Sequence, residues 1–319
     1  MPPPLVSVVC LCHNQAQFVE EALASVAAQT YPAVELIVVD DASTAESVTI
    51  VQRFLENNST QYPVQTIFLP QNLGNCAAFN RGLALAQGQY IIDFAADDVM
   101  LPQRVEQQVA FFEQLPKHYG VIFSEAQYIN EHGQQLRYHH RNQLRHLHPV
   151  PSGNVYTQLL STFFVAPPTM MMRKRVLDEL GGYDEQLAYE DFDFWIRSSR
   201  NYYYAYQNVC TTQIRKHSRS KSASLYRPGD PQLYSTYLVC LKAKKLNRTK
   251  ADERALMKRV KFELRQALLS DNQKEAGLFL ALLREEKDYG LYRMLLWLQR
   301  YHIRLGWLKS LRAIRRKLA

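Results

Sequence analysis

The sequence predicts an α/β fold, a mainly parallel sheet flanked by helices on both faces, followed by a helical C-terminal extension. Three observations carry this. Short β-branched, apolar runs alternate with segments of helical periodicity between residues 6 and 94. The early strand runs end in polar or acidic residues, as strands do when their C-terminal ends line a ligand cleft. Residues 231–319 hold little Gly or Pro and read as several helices.

Val6 to Cys12 is a buried-strand run ended by the turn-prone His13-Asn14. Phe18 to Gln29 is then a helix, with Phe18, Ala22 and Val26 on one face, and Tyr31-Pro32 stops it. Glu35 to Val39 is a second strand, ending in Asp40-Asp41-Ala42-Ser43-Thr44. A helix from Glu46 to Leu55, a strand from Val64 to Leu69, a loop at Gln71 to Asn75 and a helix from Ala77 to Ala86 come next. Gly88 closes that helix, and Tyr90 to Phe94 is the fourth strand, leading to Ala95-Ala96-Asp97-Asp98. This β-α-β-α-β-α-β order implies right-handed crossovers and a parallel sheet.

His13-Asn14, Asp40-Asp41 and Asp97-Asp98 therefore meet along one edge, a nucleotide-type cleft. Two adjacent acids at a strand end can hold a hard divalent cation together with a substrate's phosphates, or can simply cap the helix that Pro102 opens. No G-x-G-x-x-G stands after the first strand and no G-x-x-x-x-G-K-[ST] occurs, which argues against a dinucleotide dehydrogenase or a P-loop NTPase.

Farther along, Val121 to Phe123 is a strand, and Gln127 to His148 is a Tyr-, His- and Arg-rich segment read as a variable loop. His139, His140, His146 and His148 lack the Cys or second fixed pair of a zinc site and read as solvated surface. Thr169 to Lys174 is a strand entering a helix, Val176 to Leu180, that Gly181-Gly182 stops; its methionines read as core. A helix beginning near Glu190 places Phe194 and Trp195 in the core and its early acids toward the cleft, where the helix dipole favours the ionised form. Ile214 to Ser222 is basic and Ser-rich, either a solvated loop or a flexible lid whose cations and His217 reach a diphosphate.

Composition bounds the rest. The charged fraction of 21% beside 47% hydrophobic residues is that of a globular protein. The start lacks a basic n-region and an h-region, and no apolar run reaches the ~18 residues of a spanning helix, so a cytoplasmic protein is expected. Five scattered cysteines read as small core residues of a reducing compartment. Residues 241–319 carry 21 Lys/Arg against 8 Asp/Glu, whereas residues 1–240 carry 17 against 22, which points to two jobs for an acidic body and a basic tail. In the tail, Leu291, Leu295, Leu298, His302 and Leu305 form one stripe, and Trp307 to Ala319 is basic and amphipathic. That segment fits either an anionic membrane interface, peripheral to the inner face of the plasma membrane, or packing on the body or a second subunit. No DNA-reading motif or stacking platform appears, so nucleic acid is not an expected partner.

Val6-Ser7-Val8-Val9 with Asn14, Gln29-Thr30-Tyr31-Pro32, and Glu35 to Thr44 together resemble the opening of family 2 glycosyltransferases. So do Asn72-Leu73-Gly74 with Asn80 and Gly82, Gly88-Gln89-Tyr90 running to Asp97-Asp98, Gly181 to Glu185, and Glu190-Asp191. The resemblance covers roughly residues 5 to 225. It implies a GT-A-type, Rossmann-like fold with a nucleotide-sugar-binding half at 1–115, an acceptor-binding half at 116–230 and the extension at 231–319. By the same resemblance Asp191 is the general base of an inverting, metal-dependent transfer, with Glu190 beside it. Asn14, Asp40, Asp41, Asn80, Asp97, Asp98, Glu190 and His217 fall at nucleotide-sugar-binding positions, with Asp97 and Asp98 also at the divalent-cation (Mn or Mg) site. The implied partners are a nucleoside-diphosphate sugar, UDP-linked by preference, and a glycan or lipid-linked acceptor in bacterial cell-surface polysaccharide synthesis. Two departures stand out: Ala95 replaces the first acid of the family's D-x-D, and Phe79 stands where an arginine is common, with Arg81 about 200° around the helix from it. The missing acid supports a rival reading, a non-catalytic sugar-nucleotide-binding or assembly subunit.

Overall fold

The computed structural model describes residues 2–57, 62–218, 220, 225–284 and 289–300, with the backbone alone for 298–300. The chain divides into two compact units, one of residues 1–155 and 164–217, the other of residues 156–163 and 218–319.

The first unit is built on a mixed sheet. β1 (Val6–Cys12), β2 (Val34–Asp40), β3 (Val64–Phe68) and β4 (Tyr90–Ala95) are parallel, in the order β3-β2-β1-β4. α1 (Val19–Ala27), α2 (Ala45–Asn57) and α3 (Asn75–Leu83) are the crossovers. Every residue of β2 is buried, which fits a strand covered on both faces and explains its uninterrupted apolar run. Val6, Val8, Cys10 and Cys12 pack with Ala22, Leu23 and Val26 of α1 on one face. On the other, α3 comes so close that a Cβ on Gly82 would stand 2.5 Å from Val9 Cγ1. Each such buried aliphatic side chain contributes on the order of 1.5–3 kcal/mol.

Gly88 is required for a different reason. A Cβ there would lie 2.6 Å from Ser7 N and 2.9 Å from Leu5 O. Its amide instead donates to Ser7 Oγ at 2.8 Å and to Glu35 Oε1 at 3.0 Å, and Ser7 Oγ donates to the same Glu35 oxygen at 2.5 Å. This buried polar knot aims the chain into β4 beside β1.

The sheet continues past β4 with a change of direction that strand patterning alone did not reveal. β5 (Val99–Met100) lies beyond a tight turn, and α4 (Arg104–Glu113) comes next. β6 (Tyr119–Asn130) is far longer than the Val121–Phe123 run expected. It pairs antiparallel with β7 (Gln135–Tyr138) and with β8 (Met171–Arg173), and β8 pairs antiparallel with β4. β9 (Tyr203–Lys216) runs parallel to β6 and antiparallel to β5. α6 (Lys174–Leu180) and α7 (Asp191–Ser198) complete the unit. Met170, Met171 and Met172 are core, as expected.

Three expectations are corrected here. Gln127 to Tyr138 is mostly a β-hairpin, because Tyr128 and Ile129 keep β6 buried and register it on β9. His139 and His140, expected at the surface, are 6% and 0% exposed in a π-helical turn, His139–Gln143. The His139 imidazole can be buried because both its nitrogens find partners, Tyr128 OH and Phe164 O. Ile214 to Lys216 belong to β9 instead of a flexible lid; Arg219, Lys221 and Ser222 of that segment lie outside the described residues.

The second unit is helical: α5 (Tyr156–Ser161), α8 (Pro231–Leu246), α9 (Lys250–Leu269), α10 (Gln273–Leu282) and α11 (Tyr289–Arg300). Thr249 and Asp252 form a capping box that starts α9. Tyr156 donates to Asn247 Oδ1 at 2.8 Å, which ties α5 to the end of α8. In α11 the buried side chains are Tyr292 and Leu296, so the expected Leu291–Leu295 stripe is displaced by one residue, with Leu291 55% exposed. A single residue is 100° on a helix, enough to turn a neighbouring row toward α9 and α10. Leu298, His302, Leu305 and Trp307 to Ala319 fall outside the described side chains. No described helix is long and apolar enough to cross a membrane.

Candidate active site

β1 lies between β2 and β4, so the crossovers leave its two sides in opposite directions and open a crevice at its C-terminal end. The register pairs Cys12 with Asp40 and Leu11 with Ala95, which sets His13, Asp40 and the turn after β4 side by side.

At the β2 end, Asp41 is 5% exposed and ties in the loop before α3: Leu73 N donates to its Oδ1 at 2.7 Å and Gly74 N to its Oδ2 at 2.9 Å. Asp40 Oδ1 accepts Ser43 N at 2.8 Å, supporting the same loop cluster from below. Asn14 takes a positive φ of 56°, which aims its N–H at Ser43 Oγ (2.9 Å) and its Oδ1 at Thr44 N (2.8 Å). His13 Nδ1 lies 2.7 Å from Asp41 O, so that nitrogen carries the proton and donates, leaving Nε2 facing Asn72 Nδ2 at 3.1 Å. The exposed His13, Asn14 and Asn72 thus form a polar rim over a carboxylate-stiffened floor.

At the β4 end, Asp97 and Asp98 occupy the turn between two strands, well ahead of α4, so neither is a helix cap. Their environments differ. His217 Nε2 donates to Asp97 Oδ2 at 3.0 Å, and the imidazole stands 4.9 Å from the Phe18 ring. Asp98 is 3% exposed and its Oδ1 accepts Arg215 N at 2.9 Å. Burial first, and then the neighbouring Asp97 charge, pushes the Asp98 carboxyl well above the ordinary range. Arg215 is not a lid cation. Its guanidinium donates to Asp97 O (3.0 Å), Asn130 O (3.2 Å) and Glu21 Oε2 (2.5 Å), and lies 4.8 Å from the Phe18 ring centroid. It locks the Asp97 turn against β6 and α1.

At the third corner, Asp191 opens α7 and Glu190 precedes it. Asn75 Nδ2 donates to Glu190 Oε2 at 2.6 Å, linking this corner to the start of α3. Asn80 donates to Tyr183 O at 2.9 Å and accepts Tyr183 N at 2.9 Å, so it holds the turn after α6. Tyr183 OH donates to Asp93 Oδ2 at 3.2 Å; burial, then the charges of Asp93, Glu190 and Asp191, push the phenol far up and keep it a donor. Arg81 pairs with Glu185 at 3.2 Å on the surface.

Sequence reasoning missed Asp93, Tyr183 and Asn72 as site-forming residues and misassigned Arg215. Asp93 carried a signal, a lone acid between Ile92 and Phe94 in an apolar strand. Arg215 carried none, since its partners lie up to 194 residues away.

The side chains at this corner that could take part in holding a divalent cation are Asp97 and His217. Among the described residues no group of three or more His, Cys, Asp or Glu side chains converges. Asp97 and His217, however, bring one carboxylate and one imidazole within hydrogen-bond distance of each other, and Mg²⁺-type ions complete their shell with phosphate and water.

An open α/β sheet with carboxylates at its switch point defines a nucleotide-type binding protein. The family model for Glycosyl transferase family 2 matches residues 7–181, and the chain belongs to that family. An uncharacterized glycosyltransferase of Methanocaldococcus jannaschii is 29% identical over 248 residues, covering 75% of this chain and 79% of the relative. One of Rickettsia felis is 26% identical over 239 residues, covering 74% of this chain but 38% of the relative's length. Among solved structures, S. aureus TarS 1-349 in complex with UDP-GlcNAc superimposes with a TM-score of 0.64 at 17% identity, covering 93% and 92% of the two chains. The mannosyltransferase PcManGT from Pyrobaculum calidifontis, in complex with GDP-Man and Mn2+, gives 0.60 at 18% identity, covering 92% and 84%. At that identity the likeness is one of fold, the GT-A type.

Proposed function

We propose that the protein is an inverting, metal-dependent glycosyltransferase that moves a sugar from a nucleoside diphosphate, UDP by preference, to a hydroxyl of a glycan or lipid-linked acceptor. The observation that carries this reading is the Asp97–His217 pair at the switch-point crevice, 3.0 Å apart. The nucleobase belongs at the rim of His13, Asn14 and Asn72 over Asp41, with Asp40 supporting the loop. The diphosphate belongs at Asp97, where Asp98 and Arg215 fix the turn from within. Asp97 and His217 would hold a divalent cation, whose chemistry is to neutralise charge on the leaving diphosphate.

Asp191 would receive the proton of the attacking acceptor hydroxyl, since attack at the anomeric carbon needs that oxygen deprotonated as the bond forms. The N-terminus of α7 favours its ionised form, and Glu190, Asn75 and Tyr183 shape its surroundings. One base suffices, because direct displacement forms no covalent enzyme intermediate. Synthesis of a bacterial cell-envelope polysaccharide, at the cytoplasmic face of the membrane and with basic C-terminal helices resting on it, is the setting this reading implies. The divalent ion and the nucleotide-sugar of the PcManGT structure support the cofactor and the donor class.

The test is calorimetric titration of UDP, GDP, CDP and dTDP, each with and without Mn²⁺ or Mg²⁺. One nucleotide should bind tightly, more tightly with metal, and lose that gain in Asp97→Ala. Absence of binding under every condition overturns the transferase reading and favours the assembly-subunit rival that Ala95 supports.

A further inference from the structure

Between Glu131 and Asp178 the chain has no carboxylate side chain, yet Arg137, Arg141 and Arg145 all fall there. β7 sets Arg137 opposite Tyr128 of β6, and the π-helical turn after it carries Arg141. All three arginines are exposed. Arg137 and Arg141 rise from a built platform, and Arg145 follows in the next short turn. The Arg137 guanidinium lies 5.2 Å from the Tyr128 ring centroid and its Nε donates to Gln143 Oε1 at 3.2 Å. The Arg141 guanidinium lies 5.2 Å from the Tyr138 ring centroid, with its Nε 3.7 Å from Glu125 Oε2, which offsets part of its charge. Beneath them Glu125, fully buried, accepts the backbone N–H of His140 at 2.8 Å and of Arg141 at 3.0 Å. His139 and His140 bond Phe164 O, so the turn cannot shift without breaking buried hydrogen bonds.

The cationic strip extends to the proposed diphosphate corner. Lys216 Nζ lies 5.0 Å from the same Tyr128 ring, and the charges of Asp98, Asp97 and Arg137 all act on it. Lys216 and Arg137 thus approach one aromatic ring, and Lys216 is the residue that precedes His217 in the chain. Clustered like charges on a fixed platform focus a positive field, and guanidinium forks match the geometry of phosphate and carboxylate.

We propose that the acceptor is anionic, a hydroxyl-bearing molecule whose phosphate or carboxylate groups are held by Arg137, Arg141 and Arg145 beside the donor site. The word acceptor rests on the transferase reading; the oxyanion site does not.

The probes are glucose 6-phosphate and glucuronate, with glucose as the neutral control, titrated calorimetrically into the full chain at low salt. At least one anion should bind the wild type, weaken as salt screens the charges, and weaken about tenfold or more in R137Q/R141Q/R145Q, roughly 1.4 kcal/mol. It should bind R81Q, which removes a surface guanidinium paired with Glu185, as it binds the wild type, which separates this platform from a general loss of surface cations. Binding of the phosphate alone or the carboxylate alone names which oxyanion the acceptor bears. If no anion binds the wild type, if glucose binds as well, or if the triple variant binds unchanged, the proposal is overturned. Should the triple variant fail to fold by circular dichroism, the single exposed Arg145→Gln is used, with a loss of about threefold expected. If anions bind through the arginines while no nucleoside diphosphate binds at all, the oxyanion site stands and the transferase reading falls.

Discussion

His217 Nε2 lies 3.0 Å from Asp97 Oδ2 although 120 residues separate them in the chain. β9 delivers the histidine and β4 the aspartate, and Arg215 bonds the Asp97 carbonyl from the strand residue two places before His217. The pair is thus held by the sheet.

If the two side chains serve one cation, their losses will not add. Asp97→Ala and His217→Ala should each weaken metal-dependent nucleotide binding by about tenfold, and the double variant by little more than the worse single one. Calorimetry in Mn²⁺ reads this directly; strictly additive losses would assign the residues to separate tasks.

Asp191→Asn keeps the shape of the side chain and removes the base. Turnover should fall by about 10²- to 10⁴-fold, while the nucleotide dissociation constant stays within about threefold. Unchanged turnover would strike Asp191 from the mechanism.

The buried turn at His139 makes acid stability readable. Burial, and next the neighbouring His140, lowers the His139 pKa from 6.5 to about 4. The ring is neutral in the fold, with Nε2–H donating to Phe164 O at 3.2 Å and Nδ1 accepting from Tyr128 OH at 2.8 Å. An unfolded histidine takes up its proton first as pH falls, so stability present above pH 6.5 is lost between about 6.5 and 4, by on the order of 3 kcal/mol. Glu125 behaves in the same direction at lower pH. Burial alone would raise its pKa, but the hydrogen bonds from the His140 ring and from the backbone of His140, Arg141 and Ala126 outweigh it and hold it at about 2. Its contribution is present above about 4.5 and lost as pH falls toward 2. Denaturant melts from pH 7 to 3 should show His139→Gln losing the upper part of this decline; a variant curve parallel to the wild type would contradict it.

Gly82→Ala should destabilise the first unit by about 1–3 kcal/mol, because its Cβ would meet Val9 Cγ1 at 2.5 Å and Val39 Cγ2 at 3.0 Å. Both are β-branched side chains on close-packed strands and cannot swing aside. A melting temperature equal to wild type would show that α3 sits farther from the sheet.

Much of the first half was legible in the chain. Val6–Cys12, Glu35–Val39 and Tyr90–Phe94 are continuous apolar runs because both faces of their sheet are covered, and their polar ends had to gather at one edge once the strands were parallel. The motif residues of family 2 were readable for the same reason, since short-range spacing places Asp41, Asp97 and Asp191 at element ends.

Beyond β4, tertiary pairing decided the structure. The antiparallel insertion of β8, the extension of β6 and the burial of His139 and His140 depend on partners far along the chain, and no local period encodes them. The two neighbouring acids show the division most sharply. Their sequence made Asp97 and Asp98 equivalent, two carboxylates in one turn. The fold separates them, because Arg215 arrives from β9 and binds Asp98 inside while His217, two residues on, meets Asp97 at the crevice. Local sequence set the strands, their order of polarity and the chemistry at their ends. Which carboxylate faces the ligand was settled only when β9 closed against β5 and β6, since hydrogen bonds between residues more than a hundred positions apart exist only in the folded chain.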